Sequence, residues 1–524
     1  MNKKSLPYII IGLVLIVGIF YTLTSSKGFS SITQNTALAS ESQVVELKNG
    51  DTYNLTASIV KKQIAGAEVK MLAYNGSIPG PIIKVAQGSE VTIHFKNETD
   101  VPTTLHSHGV RLSNTFDGVP STTEEEIQPG ESFSYKIKFP DAGMFWYHPH
   151  VREDYAQELG LYGSYLVTST DTNYWSPVNR EVPLFLDDIL IENGKVAPFD
   201  IQKADHTLMG RYGNVFLVNG SDAYSLQAKK GEVIRFYVAN SANVRPFNFT
   251  IVGAKMKLVG GDSGAYEKDR WVDALTLGPS ERAVVEVLFD TVGTFVVQNK
   301  TPDKTDQLGI IVVSNDTASP SYASTFSTLK THDDVVKSID PFRSSFSKQL
   351  DKQLKLTVDL KGAMGGMNMG SMNRGGGNMM PNGTMMGVSK DGIEWNDTGM
   401  MSTMNQTSNT DTVLWKIVDV TTGKENMNID WNFKVGDKVK IRITNNSNSS
   451  HPMQHPIHFH GQRFLVLNRN SVEQTDFVWK DTVLVPSGQY VDILLDASNP
   501  GTWMAHCHIA EHLESGMMFS FNVE

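Results

Sequence analysis

The last stretch of the chain carries the residues best suited to redox chemistry. Residues 503–517 contain the only cysteine, a histidine on each side of it, a further histidine and a methionine, namely Cys507, His506, His508, His512 and Met517. The flanking residues are β-formers that follow a Pro-Gly turn, so we expect residues 506–508 at the end of a strand. Side chains alternate across a strand, and the two flanking histidines therefore point to one side while the thiol points to the other.

This alternation predicts two metal sites on opposite sides of one peptide. A thiolate from Cys507, an imidazole from His512 and a weak thioether from Met517 suit a trigonal copper site with a long axial ligand. The flanking histidines would hold a second metal, and electrons would pass to it through the cysteine and its peptide. A single buried cysteine is usually a small hydrophobe, but five potential ligands in one short segment favour metal binding.

Histidine is concentrated in four short motifs, which hold ten of the fourteen histidines. The motifs are Leu105–Gly109, Trp146–His150, His455–His460 and His506–Met517. Each contains a His-x-His pair, a spacing that puts both rings on one face of a strand. Eight imidazoles in four such pairs can cage several metal ions, and neutral imidazole suits copper.

The four motifs resemble those of the multicopper oxidases, the laccase-like three-domain family, over the stretch from about Tyr74 to Met517. The resemblance implies a type 1 copper bound by Cys507, His455, His512 and Met517. It implies a type 2 copper bound by His106 and His458, and a type 3 copper pair bound by His108, His148, His150, His460, His506 and His508. The enzyme would then bind four copper ions per chain, and two type 1 histidines would form an exposed edge for electron input.

Proton supply is expected from acids near these motifs. Asp117 matches an acidic residue that the family places near its oxygen-reducing cluster, and it is a candidate proton donor because water formation consumes protons; a plain Asp-Gly turn is the simpler interpretation. Leu513 stands where related bacterial enzymes often carry a second acid, so proton delivery is expected to differ here, with Glu511 and Glu514 as candidate replacements. His451 matches no family ligand and is interpreted as a surface or structural residue.

Length, charge and cysteine content narrow the class of protein. A chain of 524 residues corresponds to about three domains. The net charge of -10 and the lack of a basic stripe argue against nucleic acid as a partner. One cysteine excludes an internal disulfide framework, and coordination to copper would protect a lone thiol from oxidation outside the cell.

Three internal repeats predict an all-β fold of three consecutive cupredoxin-like Greek-key β-sandwich domains. One repeat comprises Val85–Ile93, Ala228–Phe236 and Phe433–Ile441, a second Gln128–Phe133, Gly278–Ala283 and Pro486–Val491, and a third Asp141–His148, Thr291–Gln298 and Asn499–His506. The middle copy of the third repeat ends in glutamine where the outer copies end in histidine. We therefore expect domains at 43–175, 176–320 and 321–524, with the type 1 copper in the third and the three-copper cluster between the first and third.

The N-terminal residues 1–42 are expected to direct export. Lys3 and Lys4 precede an apolar run from Tyr8 to Leu23, which is typical of either a secretory signal or an uncleaved membrane anchor. The small residues at 37–39 lie far beyond the run for a cleavage site, which favours an anchor at residues 8–23. We expect an extracytoplasmic protein (cell surface, periplasm or secreted) that is a monomer.

A methionine-rich insertion interrupts the third domain at about 362–387. It is either a flexible connection or a Cu(I)-binding segment, since thioethers select Cu(I), and Met400, Met401 and Met404 lie just beyond it. Its placement resembles that of the insertion in bacterial cuprous oxidases involved in copper tolerance, although those insertions also carry histidine and this one carries none.

These features predict an oxidase that takes single electrons from a small reducing substrate, either Cu(I) or a phenol, and reduces O2 to water. The alternatives are a general phenol-oxidising laccase without a role in copper handling, or a ferrous oxidase. A scaffold that has lost its copper would lack ligands, and none is missing. A two-domain nitrite reductase would need fewer histidines and another terminal pattern.

Overall fold

The structure, a computed structural model, describes residues 36–120, 122–361, 390–397 and 400–524. The predicted N-terminal segment at 8–23 and the methionine-rich insertion at 362–387 lie outside the described residues. Within the described part, the longest α-helix has 11 residues, and no helix combines the length and apolar character that a membrane span requires.

The first region contains two sheets that share one hydrophobic core. Its strands are β1 Val44–Glu46, β2 Thr52–Ile64, β3 Ala67–Tyr74, β4 Ile82–Ala86, β5 Glu90–Glu98, β6 His106–His108, β7 Ser132–Lys138, β8 Gly143–His148 and β9 Gly163–Thr168. They form a five-stranded sheet in the order β1-β4-β9-β8-β6 and a four-stranded sheet in the order β3-β2-β5-β7. The core lies between them because strands such as β5 alternate, with Val91, Ile93 and Phe95 buried and their neighbours facing out.

The second region repeats this plan without histidine pairs. Its strands are β10 Arg180–Ile189, β11 Ile191–Glu192, β12 Lys195–Val196, β13 Val215–Val218, β14 Tyr224–Lys230, β15 Glu232–Asn240, β16 Phe247–Ile251, β17 Met256–Gly261, β18 Gly264–Val272, β19 Leu275–Leu277, β20 Arg282–Phe289, β21 Gly293–Lys300 and β22 Thr305–Thr317. A six-stranded sheet (β13-β10-β15-β20-β17-β18) and a five-stranded sheet (β14-β22-β21-β16-β19) enclose its core, and β11 and β12 form a small ribbon.

The third region contains the other metal-bearing motifs. Its strands are β23 Lys352–Leu360, β24 Val413–Asp419, β25 Trp431–Phe433, β26 Asp437–Asn445, β27 His455–Phe459, β28 Arg463–Arg469, β29 Val472–Glu473, β30 Thr482–Val485, β31 Tyr490–Ala497, β32 Gly501–Cys507 and β33 Met518–Val523. They form sheets in the orders β24-β23-β26-β31-β28-β29 and β25-β33-β32-β27-β30 around a third core.

Helices are short in the described residues and mostly connect strands. They are α1 Glu153–Ala156, α2 Ala323–Phe326, α3 Asp333–Arg343, α4 Met400–Gln406 and α5 Ala510–Glu514, with 3-10 turns at Asn114–Phe116 and Asn426–Asn428. Two of them, α1 and α5, directly follow histidine motifs and pack against each other.

The first predicted repeat occupies one topological place in all three regions. Strands β5, β15 and β26 each pair in parallel with an earlier strand, β2, β10 or β23. Each also pairs antiparallel with a later strand, β7, β20 or β31. The prediction of three cupredoxin-like Greek-key β-sandwiches is thereby confirmed, while the boundaries near residues 175 and 320 stay predictions.

Candidate metal centres

A triad of one sulfur and two imidazole nitrogens converges at the end of β32. Cys507 ends β32, His455 begins the adjacent strand β27, and His512 lies on α5. The Cys507 Sγ is 3.5 Å from the Nδ1 of His455 and 3.8 Å from the Nδ1 of His512, and the two nitrogens are 3.3 Å apart. This triangle has the donor set of a thiolate-bound copper site.

Met517 is held beside the triad by backbone hydrogen bonds. Its N–H donates to the His512 carbonyl and its carbonyl accepts from the Cys507 N–H, both at 3.0 Å. The side chain is fully buried in the same core. These contacts bring Met517 next to two ligands of the triad, and its role as the axial ligand stays a prediction.

Burial sets the protonation states of the triad. It raises the pKa of the Cys507 thiol, with only a weak opposing hydrogen bond from the Ile509 N–H. It also lowers the pKa of His455 to about 3 and that of His512 well below its usual range, so both rings are neutral near pH 7. Neutral imidazoles are ready ligands, whereas metal binding must expel the thiol proton.

Eight further histidines meet in a buried cage between the first and third regions. Strand register places His106 opposite His148 and His458 opposite His506. Across the two regions, the His108 ring stacks on the His458 ring at 3.8 Å between centroids, and His106 lies 4.2 Å from His460. The cage comprises His106, His108, His148, His150, His458, His460, His506 and His508.

The cage divides into groups whose ligand atoms lie within 4.8 Å of one another. One group joins His108, His148 and His508, a second joins His150, His460 and His506, and a third joins His106, His108 and His458. The grouping is compatible with two type 3 ions and one type 2 ion, although the assignment of each ligand to an ion stays a prediction.

Unpartnered nitrogen atoms show that the cage fits metal ions. Buried nitrogens of six of its histidines have no hydrogen-bond partner, namely His106 Nε2, His108 Nδ1, His148 Nε2, His150 Nε2, His458 Nε2 and both nitrogens of His508. Buried polar atoms without partners are costly and rare. Copper ions bound among these nitrogens would satisfy them.

The expected alternation around Cys507 holds in the structure. The thiol faces the triad, whereas the His506 Nε2 lies 2.9 Å from the His460 Nε2 and the His508 ring lies 4.9 Å from the His108 ring. The same tripeptide therefore borders both the triad and the cage, on opposite sides of its backbone.

Asp117 lies in the wall of the cage. It is buried, its Oδ2 accepts a 2.9 Å hydrogen bond from the His460 Nδ1, and its carbonyl accepts one of 2.6 Å from the His106 Nδ1. Burial alone would raise the pKa of this carboxyl, but His460 and His106 outweigh it and hold the pKa well below its usual range. Through its carboxylate and its backbone carbonyl, Asp117 orients two rings so that each keeps Nε2 for a metal. Its role as a proton donor stays a prediction.

Asp481 and Arg282 form a second buried wall that sequence reasoning missed. The Asp481 carboxylate lies 3.0 Å from the His108 Nε2, and its carbonyl accepts from the His458 Nδ1 at 2.9 Å. Arg282, from the second region, donates to both carboxylate oxygens. Neither residue belongs to a local motif, so only the folded structure reveals them.

The prediction that His455 and His512 form an exposed edge is wrong. They are 1% and 0% exposed, because the Trp415 ring stacks on the His512 ring at 4.1 Å and meets the His455 ring edge-on at 4.8 Å. Trp415 on β24 lies far from both in sequence. No local sequence pattern around Trp415 indicates that it packs over these two histidines.

Of the two interpretations of His451, the structure excludes a surface residue and leaves a structural one. It is buried, and its Nε2 lies 3.8 Å from the Glu394 Oε2; neither atom has a hydrogen-bond partner. Burial lowers the pKa of His451 to about 4 and raises the pKa of Glu394 well above its usual range. The pair lies beside the triad, since the His451 ring is 6.2 Å from the Trp415 ring.

Acids also surround the helices that follow the histidine motifs. Glu511 is buried, and burial together with Asp154 raises its pKa to about 8; that of Glu514 rises to about 7. Glu153, which sequence reasoning missed, is fully buried 3.4 Å from the His150 Nε2. Leu513 is buried in an apolar cluster with Val119.

Three β-sandwiches with a sulfur-imidazole triad and an adjoining histidine cage define a copper-dependent oxidoreductase. Comparison with known proteins identifies the family within this class. Multicopper oxidase family models match residues 57–172, 164–316 and 395–524, which together span all three regions. The chain belongs to the multicopper oxidase family, whose members bind four copper ions and use O2 with a reducing substrate.

Individual relatives cover nearly the whole chain. A multicopper oxidase of Staphylococcus aureus is 26% identical over 96% of this chain and 94% of its own length. A laccase of Botryotinia fuckeliana is 24% identical over 96% of this chain and 82% of its own. The solved multicopper oxidase of Campylobacter jejuni, described as a metallo-oxidase, shares the fold with a TM-score of 0.66 at 22% identity, over 94% of this chain and 98% of that one.

Proposed function

We propose that this multicopper oxidase takes electrons from Cu(I) at the triad of His455, Cys507 and His512, and reduces O2 to water at the histidine cage. The burial of the triad supports Cu(I) over a phenol as the substrate. Electron transfer weakens steeply with distance, so a flat aromatic donor needs to reach an imidazole edge. Neither imidazole of the triad reaches the solvent.

The chain supplies a short connection between the two centres. Bound copper would supply the redox chemistry, namely one-electron transfer at the sulfur-ligated site and four-electron reduction of dioxygen at the cage. Cys507 and its neighbours His506 and His508 are consecutive, so one peptide unit separates the ligands of the two sites. Asp117 holds His460, and Asp481 holds His108, which keeps the cage preorganised.

The His451–Glu394 pair supports a small cation as the substrate. A neutral imidazole and a carboxyl group, both buried and 3.8 Å apart, form a donor pair too confined for an aromatic ring. Helix α4, with the partly buried Met401 and Met404, packs on the hydrophobic core of the third region, which contains Cys507. Thioether is soft enough to favour Cu(I) over Fe(II).

Paired assays with Cu(I) and 2,6-dimethoxyphenol test this function. Glu394→Gln and His451→Ala should raise the KM for Cu(I) by about tenfold or more and leave phenol oxidation unchanged. Cys507→Ser serves as the reference variant, and it should be colourless and inactive toward both substrates. Parental Cu(I) kinetics in both pair variants would refute the Cu(I) site, and efficient phenol turnover by the parent would favour the laccase alternative.

The methionine-rich insertion is a separate part of the proposal. Its methionines would bind Cu(I) and raise the Cu(I) concentration available to the enzyme. Deleting residues 362–387 should then lower Cu(I) turnover at low Cu(I) more than at saturation. An unchanged dependence on Cu(I) concentration would reduce the insertion to a linker.

We also propose that the enzyme acts outside the cytoplasm as a monomer, held by the apolar run at residues 8–23. The two lysines before this run and the lack of charged residues within residues 8–23 support the proposal. Fractionation of cells that express the full chain should recover it in membranes, and recovery in the cytosol would refute the proposal.

A further inference from the structure

Trp415 is the one side chain with ring contacts to both histidines of the triad among the described residues. Its indole stacks on His512, with 4.1 Å between ring centroids and 28° between planes, and it meets His455 edge-on at 4.8 Å. The His451 ring lies 6.2 Å from the same indole. The indole therefore contacts both triad histidines and also lies close to the buried His451–Glu394 pair.

The indole is fixed in this place from several directions. It is fully buried, and its Nε1–H donates a 2.7 Å hydrogen bond to the Thr207 carbonyl. Thr207 belongs to a segment that is itself tied to the end of α4, since Leu208 and Met209 donate backbone hydrogen bonds to Ser408 and Asn405. This tied segment thus holds the indole in place beside the triad.

We propose that Trp415 is a positioning residue for electron input. Its indole provides electronic coupling between an electron donor beside it and the His512 ring. This inference rests on the proposed type 1 site. Stacked aromatic rings in van der Waals contact give stronger electronic coupling than an aliphatic side chain or a water-filled gap of the same size. A buried triad needs such a connection, because its own imidazole edges are closed to solvent.

The step that Trp415 assists is a plain electron transfer. One electron would leave the donor, Cu(I) becoming Cu(II) or ferrocyanide becoming ferricyanide, and a Cu(II) ion held by His455, Cys507 and His512 would accept it. No bond forms or breaks, and the indole keeps its proton on the hydrogen bond to Thr207. The indole itself is neither oxidised nor reduced.

Anaerobic stopped-flow reduction of the copper-loaded protein by ferrocyanide tests the inference. The rate at which the blue colour bleaches reports electron input alone, without O2 turnover. Trp415→Leu should slow bleaching by about tenfold or more, and Trp415→Phe, which keeps an aromatic ring, should restore most of the rate. Trp415→Met, whose flexible side chain fills gaps, replaces the leucine variant if that protein does not fold.

Reduction potentials and a matched tryptophan separate coupling from packing. Trp431→Leu is the control, because Trp431 is equally buried in the third region but packs on Phe433 and Phe519 rather than on the triad. We expect an unchanged reduction potential in the Trp415 variants and parental bleaching in Trp431→Leu. Bleaching of Trp415→Leu at the parental rate or faster, or a slowdown fully accounted for by a shifted potential, would overturn the inference. A parent protein without blue colour would instead refute the type 1 site.

Discussion

Arg282 donates hydrogen bonds of 2.7 and 2.6 Å to the two carboxylate oxygens of Asp481, from 199 residues away in sequence. Both side chains are buried, and the same carboxylate contacts His108. The second region contributes no histidine to the triad or the cage, yet its arginine fixes the acid that orients a ligand of the cage. The middle sandwich therefore contributes to the metal centre through charge.

Replacing Asp481 with asparagine tests this contribution. Asp481→Asn removes the ion-pair partner of the buried Arg282 guanidinium, which typically costs about 3–5 kcal/mol of stability. We expect a large drop in the free energy of unfolding, measured with urea, together with a loss of copper from the cage.

A second bidentate pair offers the control. Asp492 accepts hydrogen bonds of 2.7 and 2.8 Å from Arg442, which is partly exposed and away from the histidines. Asp492→Asn should cost about 1 kcal/mol or less and leave the copper content unchanged. Equal losses in the two variants would contradict the role assigned to Asp481.

Substitutions at two glycines distinguish the cost of a steric clash from the cost of an unfavourable backbone conformation. Gly109 and Gly88 both have a positive φ, of 78° and 85°. A Cβ on Gly109 would lie 2.3 Å from the Asp481 Oδ2, whereas a Cβ on Gly88 would meet nothing within 4 Å. Gly88→Ala should therefore cost only about 1–2 kcal/mol, for the left-handed conformation.

Gly109→Ala should cost clearly more, because Asp481 and Arg282 must move to admit the methyl group. Copper content measured on the purified proteins should fall in Gly109→Ala and stay at the parental level in Gly88→Ala. Equal copper contents and equal stabilities in the two variants would show that Asp481 and Arg282 can move aside at little cost in free energy.

Asp117→Asn tests whether Asp117 orients histidine rings of the cage. The asparagine amide oxygen can accept the hydrogen bond from the His460 Nδ1, but the side chain lacks the negative charge that holds the imidazole N–H in place. Loss of such an outer partner typically lowers metal affinity about 10–100-fold. Copper should therefore leave the cage faster in the presence of a chelator.

The blue colour serves as an internal control in this experiment, since the Asp117 side chain bonds to the cage rather than to the triad. It should persist while cage copper is lost. Parental retention of all copper ions in Asp117→Asn would remove Asp117 from the set of orienting residues.

The sequence predicted those site residues whose geometry is local. His106 with His108, and Cys507 with its two neighbours, lie within three residues, where strand alternation alone determines which way each side chain points. The fold class followed from turns and strands that recur three times. Asp481, Arg282 and Trp415 could not be found in this way, because each contacts ligands that are far away in sequence. The burial of His455 and His512 was missed for the same reason, since it depends on how separate segments pack over the triad.

Asp187 links stability to pH. Burial and the neighbouring Asp188 raise the pKa of its carboxyl to about 8 in the folded protein, while an unfolded aspartate has a pKa of about 4. Between these values the folded chain keeps a proton that the unfolded chain releases, so this group lowers the stability as the pH rises from about 4 to about 8. Asp187→Asn removes the effect and should keep the hydrogen bond that Asp187 Oδ1 accepts from the Asp188 N–H.

Urea unfolding at about pH 5 and about pH 8 measures this linkage. We expect Asp187→Asn to be more stable than the parent at the higher pH, by up to a few kcal/mol, with a smaller difference at the lower pH. The exposed Asp303 provides the control, because Asp303→Asn should leave the pH dependence unchanged. A variant that is less stable than the parent at the higher pH would mean that Asp187 is ionised in the folded protein and stabilises it as a carboxylate.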